Sequence, residues 1–294
     1  MYCDLHADTP TRLLTEGCSF SDPRLGVHTA AVEALGEPLI QLFALWHDPE
    51  HPFRTDAALD RFLTLLPDSP FVLNNVSEGL KQGKSVALLG IEGGNFLQRN
   101  PRRLHDYYQK GVRFLTLVWN GENDLAAAHD RKGGLTDMGK AMLEELEELG
   151  MVADLSHCNE ESFWDVAERG GRLFCSHSNA RAVCDHTRNL NDDQIRAVIQ
   201  SDGLIGLTLY PPFVGGHTQS LEDLLPHIEH ICSLGGAKNL AIGSDLDGID
   251  AFLKGGEDCR FFPKLRKILE QSGYGCDCID DILGKNFFDK FCNF

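Results

Sequence analysis

The residues of this chain that could do chemistry come in short clusters, each closing an apolar run: His6-Ala7-Asp8, Glu92-Gly93-Gly94, Asp154-Leu155-Ser156-His157, Ser176-His177-Ser178 and Ser244-Asp245. In an extended strand, His6 and Asp8 face the same way, and an imidazole beside a carboxylate is half a cation site. Glu92 precedes two glycines, which let backbone approach a ligand closely. His157 and His177 each end a short apolar run, and Asp245 at such an end is an acid that needs a partner to stay charged. Taken singly, each has an ordinary explanation, such as a turn glutamate in water or a hydrogen-bonded histidine. One dinuclear metal site explains all five clusters together. Asp8, Glu92 and Asp245 with His6, His157 and His177 form a set of three carboxylates and three imidazoles without thiolate. That set suits zinc, with manganese, iron or cobalt as alternatives, whereas magnesium and calcium take fewer imidazoles. Two ions at roughly 3.5 to 4 Å would share a water and turn it into a hydroxide near neutral pH.

Such residues need a frame that brings distant stretches to one rim. The pattern predicts eight strands, at 2–8, 38–46, 85–90, 112–119, 152–156, 173–176, 204–210 and 240–244. Helical patterns fill most of the gaps. One runs from 136 to 149 with Thr136 as N-cap and Gly150 as stop, and others cover 191–200, 220–234, 262–271 and 279–291. Strands alternating with helices imply parallel connections, and eight strands close a (β/α)8 TIM-type barrel, here with extra C-terminal helices. In that fold the reactive groups sit at the C-terminal ends of the strands, where the five clusters fall. No linker, low-complexity tract or repeat divides the chain, so residues 1–294 read as one domain.

The 294 residues fit one such barrel, and 42% hydrophobic with 24% charged residues is a globular composition. Twenty-seven Lys and Arg stand against 44 Asp and Glu, a net charge of −17, which argues against nucleic acid and bare membrane as partners. No run of about 18 apolar residues and no leader-like segment occurs. Ten cysteines without a C-x-x-C pair point to free thiols in a reducing, cytoplasmic setting.

At the clustered residues the sequence resembles the membrane (renal) dipeptidase family, zinc dipeptidases built on an amidohydrolase-type barrel, and within it the bacterial, unanchored members. The blocks that carry the resemblance are DLHADTP (4–10), GIEGGNF (90–96), LTDMGKAMLEELEELGMVADLSH (135–157), CSHSNARAVCDHTRNLNDDQIRAV (175–198) and AIGSDLDGI (241–249). By position, the resemblance implies that His6 and Asp8 hold one zinc, Glu92 bridges, and His157 with His177 holds the second. It implies that Asp245 lies beside the first metal and handles the proton, and that Arg188 receives the substrate's terminal carboxylate. One place departs from the family. Its L-T-H motif is replaced in Leu115-Thr116-Leu117-Val118-Trp119-Asn120-Gly121-Glu122-Asn123, which puts Leu117 at the histidine that steadies the tetrahedral intermediate, with Asn120 or His129 as substitutes.

The resulting expectation is hydrolysis of dipeptides with a free C-terminus, L,D-dipeptides among them. A metal-bridging hydroxide would attack, Asp245 would act as base and then acid, and Arg188 would grip the carboxylate with a two-pronged hydrogen bond. The alternatives are another binuclear hydrolase on this barrel, acting on N-acyl amino acids, lactones or phosphoesters, and a catalytically silent binding protein that Leu117 would favour. Other features read as structural. Glu144, Glu145, Glu147 and Glu148 form a solvated helix face, Cys276, Cys278 and Cys292 are buried or free thiols, and His105, His227 and His230 lie on helices away from the strand ends. Phe261, Phe262, Phe287, Phe288 and Phe291 read as packing of the last helices, with a homodimer contact as the other option.

Overall fold

The computed structural model describes residues 1–47, 54–97, 100–121 and 123–292. Its strands are β1 (Tyr2–Ala7), β2 (Leu39–Trp46), β3 (Phe71–Leu73), β4 (Ser85–Glu92), β5 (Val112–Thr116), β6 (Val152–Asp154), β7 (Phe174–Cys175), β8 (Leu204–Leu207) and β9 (Leu240–Ile242). All pairings between them are parallel, in the order β2-β1-β9-β8-β7-β6-β5-β4-β3, and a further β2–β4 ladder closes the ring. Eight strands therefore make a closed (β/α)8 barrel, the expected fold. The ninth, β3, was not anticipated. It pairs with β4 at Ser85, Val86 and Ala87, and β5 takes over the same edge from Leu89 onward.

The closed ring explains the long apolar runs: both faces of a parallel barrel strand are covered, so alternation disappears. On the outer face Phe43 packs against Phe62 of the helix Arg54–Leu65 at 5.0 Å between ring centroids. On the inner face Leu5, Leu42, Leu88, Phe114 and Phe174 form a second buried group with Phe287 and Phe291. The C-terminal helix Asn286–Phe291 thus seals the N-terminal end of the barrel, with Phe174 and Phe291 4.9 Å apart. Phe261, Phe262 and Phe287 are fully buried by their own chain, as packing residues.

Local chemistry sets the helix ends as expected. Thr136 caps the helix Asp137–Leu149 by accepting from the Gly139 N–H, and Gly150 stops it with φ of 65°. Asn191 and Gln194 form a reciprocal capping box at the helix Asp192–Gln200. Two predicted helices are not continuous. Residues 220–234 split into a 3-10 turn, Leu221–Leu224, and a helix, Leu225–Ser233. Residues 279–291 are interrupted by a π turn at Asp281–Lys285, whose Gly284 lies against the start of β1. Later strands are shorter than predicted, β7 by half, because the chain turns to aim its polar residues into the mouth.

Candidate active site

Five of the strand ends deliver the predicted residues to one point. In β1 the pairing passes from Asp4↔Gln41 to Ala7↔Phe43, one residue more in β1 than in β2. This bulge, a device that re-aims side chains, turns His6 inward together with Asp8 while Ala7 faces out. Glu92 is the last residue of β4, His177 follows β7 by two residues, and His157 and Asp245 sit three beyond β6 and β9. His157 and Asp245 adopt the left-handed backbone conformation, with φ of 70° and 66°. A non-glycine residue stays there only when its surroundings hold it, which is common at functional sites.

Glu92 is at the centre. Its Oε1 lies 3.0 Å from His157 Nε2, 3.5 Å from His177 Nε2 and 3.7 Å from His6 Nε2. His6 Nε2 is 3.5 Å from Asp8 Oδ2 and 4.0 Å from Asp245 Oδ1. The three imidazole Nδ1 atoms face acceptors: Asn120 Oδ1 at 3.0 Å from His157, and Ser176 Oγ at 2.7 Å from His177 and 3.3 Å from His6. Ser176 can accept from both rings because its own proton goes to Asp154 Oδ2 at 2.5 Å. Protons held at Nδ1 leave bare Nε2 lone pairs pointing inward, and those of His157 and His177 are only 2.9 Å apart. Facing lone pairs beside a buried carboxylate call for a cation. His6 Nε2 and Asp8 Oδ1, both buried, have no hydrogen-bond partner among the described residues. The donor set and these orphaned atoms fit a metal pair.

Electrostatics tell the same story for two of the three rings. Burial pushes His157 down to about 3 and His177 well below the ordinary histidine value, with the Arg188 charge adding to both, so each ring is held neutral. Burial also lifts Asp245 to about 8, against the pull of His6. His6 alone is pushed up: burial opposes its charge, but Glu92 and Asp8 outweigh it.

Asp154 lies near His6 and His177, yet both its oxygens are spent. Oδ1 accepts from the Ser156 and Ser176 N–H groups, and Oδ2 from Thr116 and Ser176. It orients histidines and is not a ligand candidate. Asp247 is a buried anchor that accepts from Thr9 Oγ1 at 2.6 Å, the Gly26 N–H at 2.8 Å and Arg12 at 3.1 Å. The next residue must be glycine-sized, since a Cβ on Gly248 would fall 2.1 Å from Asp8 Oδ2.

The cluster opens on a cavity of about 530 Å³ lined by Trp46, Trp119, Asn120, Tyr210, Phe213 and Asp250 besides the acids. Trp46 and Trp119 meet edge to face at 5.0 Å. Arg188 is buried beside this space: its guanidinium lies 5.4 Å from the Phe213 ring, Nη2 donates to the His177 carbonyl, and Nε has no partner among the described residues. Leu117 is fully buried away from the mouth, and the side chains that reach the wall from this segment are Trp119 and Asn120. Leu117, where the departure was expected, therefore does not face this space. Glu122 of that segment lies outside the described residues. The excluded histidines have other partners: His105 pairs with Glu145, His230 with Asp192, and His227 with Val214 and Ala180.

The sequence matches the family model for membrane dipeptidases, peptidase family M19, over residues 72–290. The chain belongs to this family. It is 30% identical over 282 residues to an uncharacterized dipeptidase of Schizosaccharomyces pombe, covering 93% of this chain and 65% of that one. A dipeptidase, aclJ, of Aspergillus oryzae is 32% identical over 69% of this chain and 50% of its own. The chain thus spans one half to about two thirds of the length of these curated relatives. Among solved structures, a metallopeptidase of Rhodobacter sphaeroides liganded with a phosphinate mimic of the dipeptide L-Ala-D-Ala superposes with a TM-score of 0.90 at 23% identity, covering 98% of this chain and 97% of that one. A family M19 dipeptidase, AC, gives 0.91 at 23% identity, covering 98% and 96%. These two show the barrel. No helix among the described residues is long and apolar enough to cross a membrane.

Proposed function

We propose that this member of the membrane dipeptidase family is a zinc-dependent dipeptidase that hydrolyses dipeptides with a free C-terminal carboxylate, L,D-dipeptides included. The observation that carries the reading is the convergence of three imidazole Nε2 atoms on Glu92, with Asp8 and Asp245 beside them. His6 and Asp8 would hold one ion, His157 and His177 the other, and Glu92 both. When bound, such a pair supplies an activated hydroxide and polarises the amide carbonyl.

The protein's own groups do the rest. Asp245, lifted by burial into the neutral range, takes a proton at Oδ1 and returns it to the leaving amine. Arg188 keeps its Nε–H free for a carboxylate, and its second donor is steadied by the His177 carbonyl, so gripping the C-terminus and positioning the amide at the metals are one act. The tryptophan pair excludes water from one wall. That the Rhodobacter sphaeroides metallopeptidase binds a dipeptide mimic supports the same substrate class here. Ten free thiols support a cytoplasmic location.

The test pairs metal analysis with turnover of L,L and L,D dipeptides and of N-acyl amino acids, on wild type and Glu92→Gln. Two zinc ions per chain and dipeptide turnover are expected for wild type, with one ion lost and turnover down by at least about 1,000-fold in the variant. Turnover of acyl amino acids alone would overturn the substrate assignment.

A further inference from the structure

The loop that follows β5 holds a hydrogen-bond chain that the reaction as described does not use. Asn120 Oδ1 accepts from His157 Nδ1 at 3.0 Å and from His129 Nε2 at 3.1 Å, and His129 Nδ1 accepts from Thr187 Oγ1 at 2.7 Å. Thr187 is the neighbour of Arg188. The backbone reinforces the link. The His129 N–H donates to the His157 carbonyl at 2.7 Å, and Ala128 and Cys158 form an antiparallel bridge, which holds the two rings 6.4 Å apart. Every proton in the chain has one consistent place: Nδ1 on His157, Nε2 on His129, Oγ1 on Thr187. A single amide oxygen therefore dictates that His157 offers its Nε2 lone pair inward.

We propose that Asn120, His129 and Thr187 are positioning residues, a relay that fixes the tautomer and ring orientation of His157 and ties it to the loop carrying Arg188. The proposal rests on the reading of His157 as a metal ligand. Outer partners of ligating histidines typically govern metal affinity by about 10- to 100-fold, and here the partner is itself held from the substrate-gripping loop. The metal pocket and the carboxylate grip are then mechanically one unit, although no residue of the relay touches the Glu92 cluster except through His157.

The experiment is zinc titration of the metal-free full chain against a chromophoric chelator, for wild type, Asn120→Ala, Asn120→Asp, His129→Phe, Thr187→Val and the Asn120→Ala/His129→Phe double variant. We expect Asn120→Ala to weaken one of the two ions by about 10- to 100-fold and leave the other within about twofold. Asn120→Asp, which can accept from both rings, should restore affinity to within a few-fold. His129→Phe should weaken the same ion, and the double variant should be no worse than Asn120→Ala, because His129 acts through Asn120. Thermal melting of each metal-free variant checks folding, and Thr187→Val, which removes only a hydroxyl, serves should His129→Phe unfold. Wild-type affinity in Asn120→Ala, or additive losses in the double variant, would overturn the relay while leaving the metal reading intact. A wild-type chain that takes up no zinc would overturn both.

Discussion

Ser176 shows how much one hydroxyl decides at this site. It accepts from two imidazoles and donates to Asp154, and so sets the direction of two of the three histidine lone pairs. Ser176→Ala deletes no metal ligand. Even so it should weaken zinc binding by about 10- to 100-fold and cost roughly 1–3 kcal/mol of stability, because Asp154 Oδ2 loses a buried donor. Chelator competition and urea unfolding measure the two effects, and a variant with wild-type zinc affinity would show that the rings are aligned by packing alone.

The helix Leu225–Ser233 illustrates an element whose buried histidine works for the fold. His227 is buried, accepts from the Ala180 N–H at 3.1 Å and donates to the Val214 carbonyl at 2.8 Å, bridging the loops after β7 and β8. Burial pushes its pKa below the ordinary value despite the Val214 carbonyl. A histidine depressed in the folded state takes its proton more readily when unfolded, so its contribution to stability is present above the unfolded value of about 6.5 and is lost as pH falls below it. In the metal-free protein, the melting temperature of wild type should therefore exceed that of His227→Gln at pH 7.5, and the gap should shrink by pH 5. A gap that stays constant with pH would show that His227 titrates as it does in water.

For the molecule as a whole, metal binding and folding should be linked. The six candidate ligands come from β1, β4 and the loops after β6, β7 and β9, so only the closed ring assembles them. Ligand binding to the folded state alone adds about 2.7 kcal/mol at one hundred times Kd. Removing zinc with a chelator should lower the melting temperature by several degrees, and zinc readdition should restore it. An unchanged melting curve would mean that the acids and imidazoles are stable together without an ion.

The amino-acid sequence determined the alternation of strands and helices, the helix caps at Thr136 and Asn191, and which polar residues close the strands. These follow from local periodicity and from groups within a few residues of one another. Tertiary structure alone decided the rest. The one-residue bulge that turns His6 inward depends on the register of β1 against β2. The burial of Leu117 with Trp119 at the wall depends on how β5 ends inside the ring. The partnerships of Ser176 with His6 and of Asn120 with His157 join residues 170 and 37 positions apart. A sequence specifies what each segment prefers, but the proton positions that make an imidazole a ligand are set by neighbours that only chain closure supplies.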